Sequence, residues 1–308
     1  MRRTDVFGDD GAWTGLSLEV ESRGRPGLCP FGAEGRFLLL QGERPVLLAA
    51  VADDLCEVGF RRTDAYRSVI PPTRAAAARE AAGRPDRWAY HFAEHLAQTP
   101  EGPLHDGRWL LTPESPLLRW NHGNRPPSAY WGEMIVEGHP GGVIDWFAHN
   151  GSWEILPLRP MPDRDDARVK AYRKQARDGS LPPVLLWWVS GLDCHVVLDG
   201  HARLAAAVAE SVTPPLLHLH RTAPGDEVAA GTERAAAEYE AELARFARLR
   251  ARHGDAVPDG AGVVGPVLAR RLERLRTEER PTWAWPLPGG RDGWGRVARE
   301  VAGGGPPA

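Results

Sequence analysis

Asp199, Gly200, His201 and Arg203 stand where an apolar run, Val196-Val197-Leu198, gives way to an alanine-rich segment over 202–209. A strand that turns through glycine into a helix leaves the first N–H groups of that helix without intrahelical partners. Such a start attracts anions, phosphate above all. Arg203, in the first turn, adds a charged fork to the same place. Asp199 and His201 bring an acid and a base beside it. The plainer reading of the same residues is an Asp-capped helix with an incidental histidine.

The elements that must position these residues are legible around them. Pro214 and Pro215 stop the helix, and a second apolar run follows over 216–219. The order is strand, tight turn, helix, stop, strand. Upstream, Leu156-Pro157-Leu158-Arg159-Pro160-Met161-Pro162 leads into a helical pattern over 163–178 that Gly179 ends. A strand over 184–189 and a turn at 190–193 then return the chain to the motif. Val169, Tyr172 and Ala176 form the apolar stripe of that upstream helix. Lys170, Arg173, Lys174 and Arg177 form a basic one at helical spacing. A solvated charged face is the ordinary reading of such a stripe.

This order resembles the ParB/sulfiredoxin-like superfamily, over roughly 153–222. Arg159-Pro160-Met161-Pro162 with Ala167-Arg168-Val169 is similar to the opening of sulfiredoxin, and Asp199-Gly200-His201-Ala202-Arg203-Leu204-Ala205 to the ParB-type turn. The resemblance implies a nucleotide, ATP or CTP with Mg²⁺, held at Gly200. Arg159, Arg168 and Lys170 would join Asp199, His201 and Arg203 in holding it. It further implies phosphoryl transfer or hydrolysis, as in the superfamily's small-molecule kinases. Asp163, Asp165 or Asp166 would then serve as base, with His201 near the reactive end. The departures are specific. His201 occupies the sulfiredoxin cysteine position and Cys194 lies upstream on the incoming strand, which disfavours sulfinic-acid repair. The Gly-Glu-Arg-Arg of ParB-type CTP switches is largely replaced, and no helix-turn-helix pattern follows 222, which disfavours centromere partitioning. The alternative is a non-catalytic ParB-like module that binds DNA or a protein partner.

Composition bounds these expectations. With 308 residues, 42% hydrophobic and 26% charged, the chain is long enough to bury a large core. A net charge of −3 supplies no basic field for nucleic acid. Of 38 Lys and Arg residues only Lys170 and Lys174 are lysine, a bias of coding more than of function. Cys29, Cys56 and Cys194 are sparse and unpaired in spacing, which fits a reducing compartment. No secretory signal or membrane span is visible, so the expectation is a soluble, cytoplasmic protein with no membrane partner. His91-Phe92-Ala93-Glu94-His95 matches a zinc-ligand pattern but requires a third ligand; an amphipathic helix edge is the expected reading.

The chain in order predicts an α+β protein with segments at 1–150, 151–222 and 223–308, the last helical. Residues 1–35 read as a loose lead-in, 36–41 as a buried strand, and 45–56 as a strand or a helix, with the helix favoured by the spacing of Leu47, Leu48, Val51 and Leu55. Helices are expected over 73–82, capped by Thr73, and over 86–98. Short strands are expected at 109–111, 117–120, 131–136 and 143–148. Asn121–Arg125 reads as a polar loop, and Asn150-Gly151 as a hairpin turn joining the upstream strands to 153–156 in one sheet. A helix capped by Thr232 runs to His253, and Val264, Val267, Leu268, Leu272 and Leu275 mark another. Residues 281–308 read as Pro- and Gly-rich and mobile at their end.

Overall fold

The computed structural model describes residues 1–8, 10–52, 57–114, 128–136, 138, 140–145 and 154–303. Six strands come first: β1 (Arg2–Phe7), β2 (Trp13–Val20), β3 (Leu28–Ala33), β4 (Arg36–Gln41), β5 (Arg44–Ala52) and β6 (Glu57–Arg62). Helices α1 (Ala75–Glu80) and α2 (Pro85–Gln98) follow, then β7 (Gly107–Thr112), β8 (Gly141–Asp145) and β9 (Ile155–Pro157). The motif region comprises α3 (Ala167–Arg177), β10 (Val184–Val189), β11 (Cys194–Asp199), α4 (His201–Ala209) and β12 (Leu216–Arg221). The chain ends with α5 (Gly225–His253), α6 (Gly260–Thr277), β13 (Trp285–Pro286) and α7 (Gly290–Ala302). This is an α+β fold with C-terminal helices. Among the described residues no helix is long and apolar enough to cross a membrane.

A seven-stranded mixed sheet runs β1-β2-β7-β12-β10-β11-β9, and a six-stranded one β13-β3-β4-β5-β6-β8. One core joins them. Leu16 and Leu18 of β2, Leu185 and Trp187 of β10, and Phe37 and Leu39 of β4 belong to it, as do Trp88, Phe92 and Leu96 of α2. Both sheets are also covered on their far faces. Leu186 and Val197 meet Leu204 of α4, while Leu38 and Leu48 meet Trp294 and Ala298 of α7. Strands buried on both faces read as unbroken apolar runs, without the alternation of a half-exposed strand.

That double burial explains the first correction. The stretch expected as a helix over 45–56 is strand β5 through Ala52, because Leu47 and Ala49 face the shared core while Leu48 faces α7. A short, fully buried strand and a buried helix cannot be told apart by periodicity. The supposed lead-in supplies β1, β2 and β3, with Arg2 opposite Glu19 and the charges kept outside. The expected strand over 131–136 is instead a 3-10 turn, Ser128–Trp131, followed by a single bridge from Ile135 to Ile155. The strands flanking Asn150-Gly151 do not share a sheet: β8 pairs with β6, and β9 runs parallel to β11. Residues 117–120, 121–125, 150–151 and 304–308 themselves lie outside the described residues, as does Cys56.

Two expected helix caps lie elsewhere in the structure. α1 begins after Arg74, which makes no side-chain cap bond. Thr232 sits inside α5, where its hydroxyl donates to the Val228 carbonyl at 2.8 Å. The C-terminal stretch is built into the fold through β13, which pairs with β3, and through α7. Helices α5 and α6 pack chiefly on each other, approaching closely where Gly231 meets Leu275 and Gly260 meets Phe246.

Trp294 is the anchor of α7. It is buried against β4, and its indole N–H donates to the Phe37 carbonyl at 2.9 Å. Trp294→Ala removes the largest side chain of that cluster and its bond to the Phe37 carbonyl. The expected loss is ~3–5 kcal/mol, read as a lower urea midpoint at unchanged slope.

Candidate functional site

β11 ends at Asp199, and Gly200 turns the chain into α4 with φ 103° and ψ 20°. Glycine is required there. That φ is strained for any residue with a β-carbon, and a Cβ would stand 2.7 Å from Nη2 of Arg203. Arg203 folds back across Gly200 and donates to Oδ2 of Asp199. Ser68 donates its hydroxyl to the other oxygen, Oδ1, at 2.8 Å. Asp199 therefore holds an arginine and a serine and does not cap α4, whose first N–H groups receive no side-chain cap at all.

A cleft of about 290 Å³ opens over this turn. Arg159 enters from the segment after β9, Arg168 and Tyr172 from α3, and Arg203 from α4. The opposite wall is Ser68 with Pro71, Pro72 and Thr73. Three guanidiniums thus face one carboxylate, a surplus of positive charge at the open end of a helix. The wall segment is fixed from β4. The buried amide of Gln41 donates to the Arg67 carbonyl and accepts from its N–H, both at 2.8 Å. Ser68 and Thr73 were missed by sequence reasoning, and no local signal could have found them; Ser68 meets Asp199 across 131 positions of chain.

His201 points inward. It is 1% exposed, and neither ring nitrogen has a hydrogen-bond partner. Burial holds its pKa well below the ordinary histidine value, and the charges of Arg159, Arg203 and Arg62 push the same way. The ring is therefore neutral. Tyr66 lies beside it, ring centroids 6.4 Å apart, and donates to the Leu198 carbonyl at 2.6 Å.

The other candidates lie elsewhere. Asp163 accepts from the Asp165 N–H at 2.7 Å, and Asp166 caps α3 by accepting from the Arg168 and Val169 N–H groups. Lys170 pairs with Asp165 at 3.2 Å in solvent. None of these four lines the cleft. Arg173 and Arg177 are bound to Glu210, so half of the basic stripe is an ion-paired face. Cys194 is buried in the shared core, and burial pushes its thiol well above the usual range. His91 and His95 meet edge to face one turn apart, with ring centroids at 4.7 Å. Among the described residues no group of three His, Cys, Asp or Glu side chains could hold a metal ion.

The buried histidines make stability depend on pH. His201 is held low, and desolvation brings His105 and His220 down to about 4. Unfolding frees each to titrate near ~6.5, so below that pH the unfolded chain binds protons that the folded chain refuses. Stability is whole above pH ~6.5 and is lost as pH falls toward the folded values, by up to ~1.4 kcal/mol per unit for each histidine. Urea midpoints should therefore drop between pH 7.5 and 5.0. His220→Gln should flatten that dependence, and an unchanged slope would contradict the assignment.

Compared with protein-family models, curated proteins and solved structures, the chain matches none significantly. The case for a ligand therefore rests on the residues of the cleft.

Proposed function

We propose that the chain binds a nucleoside triphosphate, ATP or CTP, with its phosphates in the cleft at Gly200. The observation that carries this reading is the convergence of Arg159, Arg168 and Arg203 on the uncapped N-terminus of α4. Backbone N–H groups and surplus guanidinium charge together favour a polyanion. The ~300–1,000 Å³ usual for ligand pockets makes this cleft a small one, suited to a phosphate chain with the base outside. Tyr172 offers that base an aromatic face. The ParB/sulfiredoxin-like order of motifs supports the same ligand.

Mg²⁺ would enter with the phosphates. Among the described residues Asp199 is the one carboxylate lining the cleft, and Ser68 and Arg203 already hold it, so none of them forms an acidic set dedicated to the metal. Phosphoryl transfer or hydrolysis would need a base. Asp163, Asp165 and Asp166 lie outside the cleft, and both oxygens of Asp199 are already engaged by Ser68 and Arg203. This favours a module that holds nucleotide without turning it over.

Calorimetric titration with ATP, CTP and GTP in Mg²⁺ tests the reading. Arg168→Ala removes an exposed charge without touching the core and should weaken binding about tenfold, the value of a charge-assisted contact of ~1.5 kcal/mol. Gly200→Ala should weaken it too, because the new β-carbon drives Arg203 off Asp199. Arg248→Ala, on the exposed face of α5, should bind as wild type does. If folded wild type binds no nucleotide, or Arg168→Ala and Gly200→Ala bind normally, the proposal fails. A ParB-like module serving DNA or a protein partner would then be the better description.

A further inference from the structure

Further along α4 a second cavity, of about 560 Å³, lies apart from the Gly200 cleft. Ala205, Val208 and Ala209 of α4 line it, with Ile135, Val136 and Met161 opposite. Its size falls within the ~300–1,000 Å³ of small-molecule sites, and its walls are mostly aliphatic, as such sites usually are.

Among the described residues two arginines break the apolar lining, Arg62 and Arg164. Arg62, the last residue of β6, is 4% exposed. Nη1 donates to the Pro157 carbonyl at 3.1 Å, and the guanidinium lies over the Phe60 ring at 5.3 Å. Nε is buried and has no hydrogen-bond partner, and although the charge of Asp64 acts on the guanidinium, the cost of its burial outweighs it. A buried cation in that condition is costly unless an anion completes it. The cavity beside it is where an anion can arrive.

We propose that this cavity binds a small apolar carboxylic acid, its hydrocarbon body against Val208, Ile135 and Met161 and its carboxylate on Arg62. The planar fork of a guanidinium matches a carboxylate, and the aliphatic walls exclude a polyphosphate. The site does not rest on the nucleotide reading, since no residue of the Gly200 cleft lines this cavity. The two adjoin through His201, which lines the cleft and feels the charge of Arg62.

Octanoate is the probe, titrated calorimetrically into the full chain beside octanol of the same length. Octanoate should bind one to one, and octanol at least roughly tenfold more weakly, because it leaves Arg62 unpaired. Arg62→Met should lose the preference for octanoate. That variant removes a buried residue and could misfold, so Ala209→Trp, which fills the cavity from its rim, carries the decision. It should abolish octanoate binding at an unchanged melting temperature, while ATP titrates as with wild type. Absence of one-to-one octanoate binding, equal affinity for octanol, or a folded Ala209→Trp that still binds octanoate would each overturn the proposal. A chain that binds octanoate but not ATP would retain this site and lose the nucleotide reading.

Discussion

Cations stripped of water crowd the start of α4. Arg62 and Arg203 are almost wholly buried, Arg159 is partly so, and all three act on the ring of His201. Desolvating a guanidinium costs several kcal/mol unless an anion is set against it. The protein meets this cost with Asp199 placed on Arg203, with the charge of Asp64 acting on Arg62, and by keeping His201 neutral. The charge left unmatched faces the two cavities, and that imbalance gives both of them chemical meaning.

Holding such a cluster demands a rigid scaffold. β11 lies inside the seven-stranded sheet, buried by the shared core on one face and by α4 on the other. Gly200 can bend sharply because the strand before it and the helix after it are both packed against fixed neighbours. The far wall of the cleft is pinned from the six-stranded sheet by the reciprocal bonds of Gln41 to Arg67. The site is thus a seam between elements of both sheets, and movement of either would separate Ser68 from Asp199. By contrast, α5 buries only Gly231 and Ala235, and α6 only Gly260. With so few buried contacts, that hairpin is the part of the described chain best suited to open locally.

Much of the motif was legible because it is local. The strand over 184–189, the glycine turn, the short helix and its proline stop each follow from a few neighbouring residues. So does the apolar stripe of α3. The same locality misled where short-range signals had two meanings. Asp163, Asp165 and Asp166 carry the residue type of a catalytic base, yet their carboxylates accept from nearby N–H groups or pair with Lys170. An aspartate before a helix serves a cap or a reaction equally well in a sequence, and only the position of the cleft separates the two.

What the sequence determined by itself was the class of the fold, the run of elements from α3 to β12, and the glycine that takes a positive φ between β11 and α4. Those depend on backbone sterics and on periodicity within a dozen or so residues. Tertiary structure decided the rest. It made β5 a strand by burying both of its faces, and it built residues 1–35 and 281–303 into the two sheets and α7. It brought Ser68 to Asp199, and it removed water from Arg62 and His201. Burial and long-range pairing are properties of the assembled core, so a residue's type names the chemistry it can do, and its neighbours across the fold decide whether that chemistry is used.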